Sequence, residues 1–391
     1  MKLLLQHRHY ENEISGVLTY ISAIIPELEA RGIEVKTIST KQDNIAKWFS
    51  CIAGADIVHM NSNDLSFTLL CKALQKKIII KYHYCLYQST HTIYEPMKLT
   101  QRLKAEFQQT LPKANYPLKW KLHTFVKWAR LATRLSTALL ADSHTACSNF
   151  LGESSAFPWS VDTIYNPIQI KSKSQLKTLE SLSNPYKFIF VGRLATDKGV
   201  DVLLKAARIL QDENKEFQIT IIGDGGQSQE LKQLASDLEI ANKVNFLGKL
   251  LQKEVLLKVE DALALIAPSR WQDPAPYVVQ EASSVQTCSI VSKMGGLPEV
   301  AGPHSLFFEN EDAEELAKCM RYCLDNPDEA INRGFQSSQY VAEKFSATLA
   351  VTRLLEICRE LTPKALVSCE AFNFIVEAER ERGGEGEGEK V

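Results

Sequence analysis

Along residues 1–166, short apolar runs alternate with stretches in which apolar residues recur every three or four positions. Lys2–Gln6, Ile33–Ser39, Asp56–Met60, Lys77–Tyr82 and Ala138–Ala141 have the length and composition of buried strands. Between the first two, Val17, Leu18, Ile21, Ile24, Ile25 and Leu28 share one face of a helix predicted over 17–30. Gly32 stands where a helix C-terminus takes a left-handed residue. Strands separated by helices predict parallel βαβ units in a doubly wound sheet.

Residues 171–185 are polar and end in Asn184-Pro185, which reads as a linker. The alternation then resumes with strands at 186–191, 217–222, 243–247, 262–267 and 289–291. Helices are expected at 199–210, at 229–238, from about Tyr277, and on to about Leu361. The predicted fold class is α/β, with two Rossmann-like domains. The first covers 1–168, followed by a linker over 169–185 and a second domain over 186–340. A terminal helix over 341–361 is expected to return toward the first domain. Residues 362–391 end in Gly/Glu repeats that cannot bury enough surface to fold, and are expected to be disordered.

Composition narrows the partners more than the fold. A chain of 391 residues with 45% apolar and 24% charged residues is ordinary for a globular protein of about two domains. Its formal net charge of −2 gives it no general attraction to nucleic acid. Nine cysteines occur without a Cys-x-x-Cys, which suits buried thiols in a reducing compartment. The opening apolar run stops at Gln6, too early for a secretory core, so a cytoplasmic location is expected.

The candidate chemistry lies in the second half. The strand ending at Val191 runs into Gly192-Arg193, with Lys198-Gly199 before a helix. A glycine turn, two cations and a helix N-terminus together suit a phosphate. The next strand runs into Gly223-Asp224-Gly225-Gly226, part of a dinucleotide fingerprint whose third glycine is replaced by Ser228. The richest segment follows Ala267: Pro268-Ser269, then Asp273, Ala275, Pro276, and a helix opening with Tyr277 and Val278 that carries Glu281. Carboxylates on either side of a helix start can accept hydrogen bonds from vicinal hydroxyls, while the free N–H groups meet phosphate oxygens. Gly295-Gly296-Leu297-Pro298-Glu299 adds another glycine turn with an acid.

These motifs, in this order, resemble the C-terminal domain of the retaining family 4 glycosyltransferases (glycosyl transferases group 1) of GT-B fold, in which two Rossmann-like domains face each other across a cleft. The resemblance implies a sugar transferred from a UDP- or GDP-sugar to a hydroxyl-bearing acceptor, with retention of anomeric configuration. It implies that Arg193 and Lys198 hold the donor diphosphate, that Glu281 binds the ribose and that Asp273 contacts the sugar. The family usually has Glu at that last position. Gly192, Gly223, Asp224, Pro276, Tyr277 and Val278 would complete the donor site. In the first half, Ser15-Gly16 resembles the family's glycine turn, where Gly16 lets phosphate approach, and His83 occupies the place of a histidine near sugar and acceptor. No Asp-x-Asp occurs in the chain, so neither a metal nor another cofactor is expected.

Between Pro96 and Thr137, nine Lys and Arg residues face the lone acid Glu106, interleaved with Tyr116, Trp120, Phe125 and Trp128. A basic helix with interfacial aromatics is the pattern of a peripheral membrane element at the inner face. An ordinary solvated helix has the same pattern.

Overall fold

The computed structural model describes residues 1–10, 13, 15–86, 98–110, 118–168 and 176–363, with the side chains of 109–110 and 118–123 excepted. The expected tail over 362–391 lies outside the described residues from 364 onward, as do linker residues 169–175.

The chain forms two six-stranded sheets flanked by helices. The first contains β1 (Lys2–His7), β2 (Glu34–Ser39), β3 (Ile57–Met60), β4 (Lys77–Tyr82), β5 (Ser143–Ala146) and β6 (Asp162–Thr163), in the order β2-β1-β3-β4-β5-β6. The second contains β7 (Lys187–Val191), β8 (Gln218–Ile222), β9 (Val244–Gly248), β10 (Ala264–Ala267), β11 (Cys288–Ser292) and β12 (Leu306–Phe308), in the order β12-β11-β10-β7-β8-β9. Every pair in this second sheet is parallel. Its central strands are buried on both faces, which explains why Phe188–Phe190 and Leu263–Ile266 read as continuous apolar runs.

The helix at Gly16–Ala30 shows how local sequence sets these elements. Ser15 caps its N-terminus by accepting a hydrogen bond from the Leu18 N–H, and Val17, Tyr20, Ile21, Ile24 and Leu28 are its buried stripe. At the other end, Gly32 takes φ +73°, and the N–H groups of Gly32 and Ile33 donate to the carbonyls of Glu29 and Leu28. That is the Schellman closure which the glycine at this position implies.

One strand is corrected. Ala138–Ala141 is not a strand: the helix Leu118–Leu140 runs through most of it, and the strand β5 begins at Ser143. Leu131 and Ala138, a heptad apart, are both buried and belong to one helical face. Asp142 then breaks the helix. Its carboxylate accepts from the Ile78 N–H and pairs with Lys72 and Lys77, which registers β5 beside β4.

The compact units divide the described chain differently from the boundary at 168. One takes residues within Met1–His83, Pro112–Thr145 and from Ala347; the other takes those within Tyr84–Leu111 and Ala146–Ser346. Residues 146–168 join the second unit for a physical reason. The Glu299 carboxylate accepts from the N–H groups of Asn149 and Phe150 and from the Tyr165 hydroxyl, at 2.8, 3.0 and 2.8 Å. The end of the linker is also anchored there, because buried Lys177 donates to the Ala262 carbonyl and the Thr287 hydroxyl. Helix Ala347–Leu361 belongs to the first unit, where Arg31 donates to Thr352 and to the Thr348 carbonyl.

Candidate functional site

In the second sheet the chain moves outward from β7 to β8 and β9, then returns to the other side of β7 as β10. The loops leaving β7 and β10 therefore diverge, and such a switch point at the carboxyl ends of the strands is where open α/β sheets bind ligands. The expected site residues of this half stand on those two loops and on their neighbours.

Glycines let the loops touch. Gly199 has φ +66°, and a Cβ there would lie 1.9 Å from the Pro268 carbonyl oxygen, so the β7 loop rests directly on the β10 loop. Gly223 has φ +136°, and a Cβ would lie 1.8 Å from the Gly192 carbonyl oxygen, which joins the β8 turn to the β7 turn. Leu194 N–H donates to the Asp224 carbonyl across the same contact. Gly296 presses on the Pro274 carbonyl and donates its N–H to the Asp273 carbonyl, which fixes the loop that presents Asp273.

On this frame Lys198 forms an ion pair with Asp273, both partly buried. Arg193 is the more exposed cation, with 69% of its side chain open, and pairs with Asp197 at 2.9 Å. Asp224 points outward and turns its carboxylate to the Gly225 N–H. Pro276 is the N-cap of helix Tyr277–Ser284 and offers no capping side chain, and Tyr277 and Val278 are the first residues of that helix. Glu281, one turn further on, accepts a hydrogen bond from Gln252. Burial pushes the Glu281 carboxyl above its ordinary range, and the Gln252 amide partly offsets this.

The structure thus brings Gly192, Arg193, Lys198, Gly223, Asp224 and Asp273 onto touching loops, beside the helix that carries Tyr277, Val278 and Glu281. Gly16 and His83 lie in the first unit. Gly16 opens the helix capped by Ser15, and His83 follows β4, buried, with its Nε2 3.0 Å from the Asn61 Oδ1. Glu299 is occupied as the anchor of residues 149–165 described above.

Three contributors were not visible in the sequence pattern. Arg270 donates to both Asp201 oxygens at 2.6 and 2.8 Å and to the Thr196 carbonyl, and also pairs with Glu311, so it braces the β10 loop against the β7 loop. Those hydrogen bonds to Asp201 raise the guanidinium's affinity for its proton further. Asp197 is the partner of Arg193, and Gln252 that of Glu281. The Arg270 and Gln252 pairings join elements far apart in the chain, so no helical or strand period announces them, whereas Arg193 and Asp197 stand four residues apart in one loop.

Comparison with known proteins agrees with this architecture. Residues 172–336 match the family Glycosyl transferases group 1. Among curated relatives, the chain is 26% identical over 197 residues to the amylovoran biosynthesis glycosyltransferase AmsK of Erwinia amylovora, covering 48% of each chain. It is 22% identical over 297 residues to the 2-deoxystreptamine glucosyltransferase of Streptomyces kanamyceticus, covering 74% of each. The chain spans about half the length of the first relatives it matches, 48% of AmsK and 42% of the Mycobacterium tuberculosis glycogen synthase. Among solved structures, Anabaena HepE in complex with UDP superposes with a TM-score of 0.68 at 16% identity, over 92% of this chain and 100% of that one. The fold is GT-B, and the matched segment lies in the unit that carries the loop cluster.

Proposed function

We propose, from the premise of a GT-B fold whose residues 172–336 match the glycosyl transferases group 1, that this protein transfers a sugar from a nucleotide-sugar donor to a hydroxyl-bearing acceptor, with retention of anomeric configuration. The observation that carries the reading is the Lys198–Asp273 ion pair at the switch point between β7 and β10.

The pair suits a ligand that carries a phosphate next to a sugar. A donor phosphate that draws Lys198 away would leave the Asp273 carboxylate uncompensated, at a cost. A sugar hydroxyl donating to Asp273 offsets that cost, so a sugar nucleotide satisfies both partners at once. Arg193 adds positive charge where negative charge accumulates on the departing diphosphate, and together with Lys198 takes the place of a metal in this reading. The N-terminal turn of helix Tyr277–Ser284 faces phosphate with its positive dipole end in this reading, and Glu281 accepts from the ribose hydroxyls. UDP- and GDP-sugars are the proposed donor classes. HepE has been crystallised with UDP-glucose.

The two carboxylates are expected to respond differently. Glu281→Gln should weaken binding of the free nucleoside diphosphate by roughly tenfold or more, because it replaces a charged hydrogen-bond acceptor. Asp273→Asn should leave diphosphate affinity unchanged or tighter, since Lys198 is released, while turnover of the sugar donor falls by about 10²-fold. Calorimetry with the diphosphate and steady-state kinetics with the donor separate the two. Equal losses in both variants and both measurements would contradict the assignment.

A second reading concerns where the protein works. No described helix is long and apolar enough to cross a membrane. On helix Leu118–Leu140, however, Phe125 is 71% and Leu139 69% exposed, and the two lie within about 40° of each other around the helix. The helix also carries Lys119, Lys121, Lys127, Arg130 and Arg134. We propose salt-sensitive attachment of this helix to anionic membranes, each cation near the surface contributing about 1 kcal/mol. Wild type should float with anionic liposomes at low salt and not at high salt. The Lys119→Glu, Lys121→Glu, Lys127→Glu variant should stay in the soluble fraction. A wild type that stays soluble at low salt ends this reading.

A further inference from the structure

In the second unit, residues within 149–163 line a cavity of about 410 Å³. Small-molecule sites span roughly 300–1,000 Å³, so one sugar-sized ligand fits the scale. None of the described residues lining it belongs to the loop cluster at β7 and β10. Helix Asn149–Ser154 contributes Asn149 and Glu153, which stand four residues apart and so share one face. The helix ends where Ala156 takes φ +51°, and the chain turns back to bring Phe157, Trp159 and Thr163 to the same cavity.

The apolar part of the lining is preformed. The Phe157 and Trp159 rings stack, with centroids 4.9 Å apart and planes at 16°. Each ring fixes the other, so little ordering remains to be done when a ligand arrives. A flat aromatic surface packs against the C–H face of a pyranose ring, whose axial hydrogens meet the negative side of the π-system.

The polar part is set for hydroxyls. Tyr165 donates its hydroxyl proton to the Glu299 carboxylate at 2.8 Å, so its oxygen accepts from the Asn149 Nδ2 at 3.1 Å. The Thr163 Oγ1 donates to the Asn149 Oδ1 at 2.6 Å. These contacts hold the amide one way round, and they leave Asn149 a second N–H and Thr163 its lone pairs. Glu153 is exposed, and its carboxylate only accepts. One donor and two acceptors match a vicinal diol, in which every hydroxyl both donates and accepts. No described residue lining the cavity is Lys, Arg or His, and Glu153 adds negative charge, so phosphates and acidic sugars are repelled.

We propose that this cavity is a saccharide-binding site separate from the donor loops, which takes a neutral pyranose ring on the Phe157–Trp159 pair and its hydroxyls on Asn149, Glu153 and Thr163. The inference concerns binding alone and does not depend on the transferase reading. A chain that held a glycan here and turned over no sugar nucleotide would still satisfy it.

Saturation-transfer NMR on the full chain tests it, with neutral hexasaccharides of glucose, mannose and galactose at millimolar concentration as probes and hexagalacturonate as the charged control. Wild type should transfer saturation to the ring C–H protons of at least one neutral probe and not to the galacturonate. Glu153→Gln should weaken that binding roughly tenfold, because a charged acceptor is replaced. Its melting temperature should match wild type, since Glu153 is exposed. Trp159→Ala should weaken binding by roughly tenfold or more, and Trp159→Phe, which keeps a ring, should bind more tightly than Trp159→Ala. Lys198→Ala, on the donor loops, should bind the probe as wild type does. Undiminished binding in both Glu153→Gln and Trp159→Ala, or binding lost in Lys198→Ala, would put the sugar elsewhere and overturn the proposal. Saturation transfer to none of the neutral probes, or to hexagalacturonate in preference to them, would overturn it equally.

Discussion

Lys198→Ala is expected to lower turnover by on the order of 10³-fold while the protein stays folded. The side chain ends at the switch point of the second sheet, paired with Asp273, and both retain about a fifth of their side-chain exposure. Removing the ammonium leaves Asp273 reachable by water, so the cost to stability is small. The cost to reaction is large, because the charge that meets the departing diphosphate is gone. Arg193→Ala should lower turnover less, since its guanidinium is mostly exposed and screened. The double variant should be at least as impaired as Lys198→Ala. Near-normal turnover in the double variant would remove both residues from the proposed chemistry.

Gly199→Ala is expected to be among the most damaging single methyl additions in the second unit. The residue holds φ +66°, and the added carbon would lie 1.9 Å from the Pro268 carbonyl oxygen. Backbone cannot yield as a flexible side chain would, so the β7 loop must lift from the β10 loop and carry Lys198 away from Asp273. A destabilisation of about 3 kcal/mol is expected, together with a loss of turnover that persists at temperatures where the variant is folded. Gly226→Ala is the control, because nothing lies within 4 Å of its added carbon. It should change stability by no more than about 0.5 kcal/mol. Thermal denaturation of both variants, with turnover measured below the transition, makes the comparison. Equal tolerance at both positions would mean that the loops do not rest on one another as described.

What the sequence disclosed depended on how far each signal reaches along the chain. The capped helix over Gly16–Ala30 was legible because Ser15, the apolar stripe and Gly32 all act locally. The glycine turns at Gly192, Gly223 and Gly295-Gly296 were legible as turns, though not as the points where four loops press together. Ala138–Ala141 was misread because a four-residue apolar run fits a strand and a helix face equally well, and only the heptad relation to Leu131 separates them. Glu299 looked like a site acid, yet its carboxylate closes contacts with residues about 150 positions earlier. The Asn61–His83 contact, the Gln252–Glu281 contact and the Arg270 brace are likewise set by sheet order, which no local pattern encodes.

Ligand-induced stabilisation of the full chain tests most directly whether the loops of the second sheet form the donor site. Thermal shifts should be recorded against UDP-, GDP- and ADP-sugars for wild type and for the Arg193→Ala, Lys198→Ala double variant. A ligand that binds only the folded protein stabilises it by about 2.7 kcal/mol at a concentration one hundred times its Kd. One nucleotide class, UDP or GDP, should raise the melting temperature of wild type in a concentration-dependent way, more as the sugar nucleotide than as the bare diphosphate, and the shift should vanish in the double variant. A wild type stabilised by none of these sugar nucleotides, or stabilised equally in the double variant, would contradict the account.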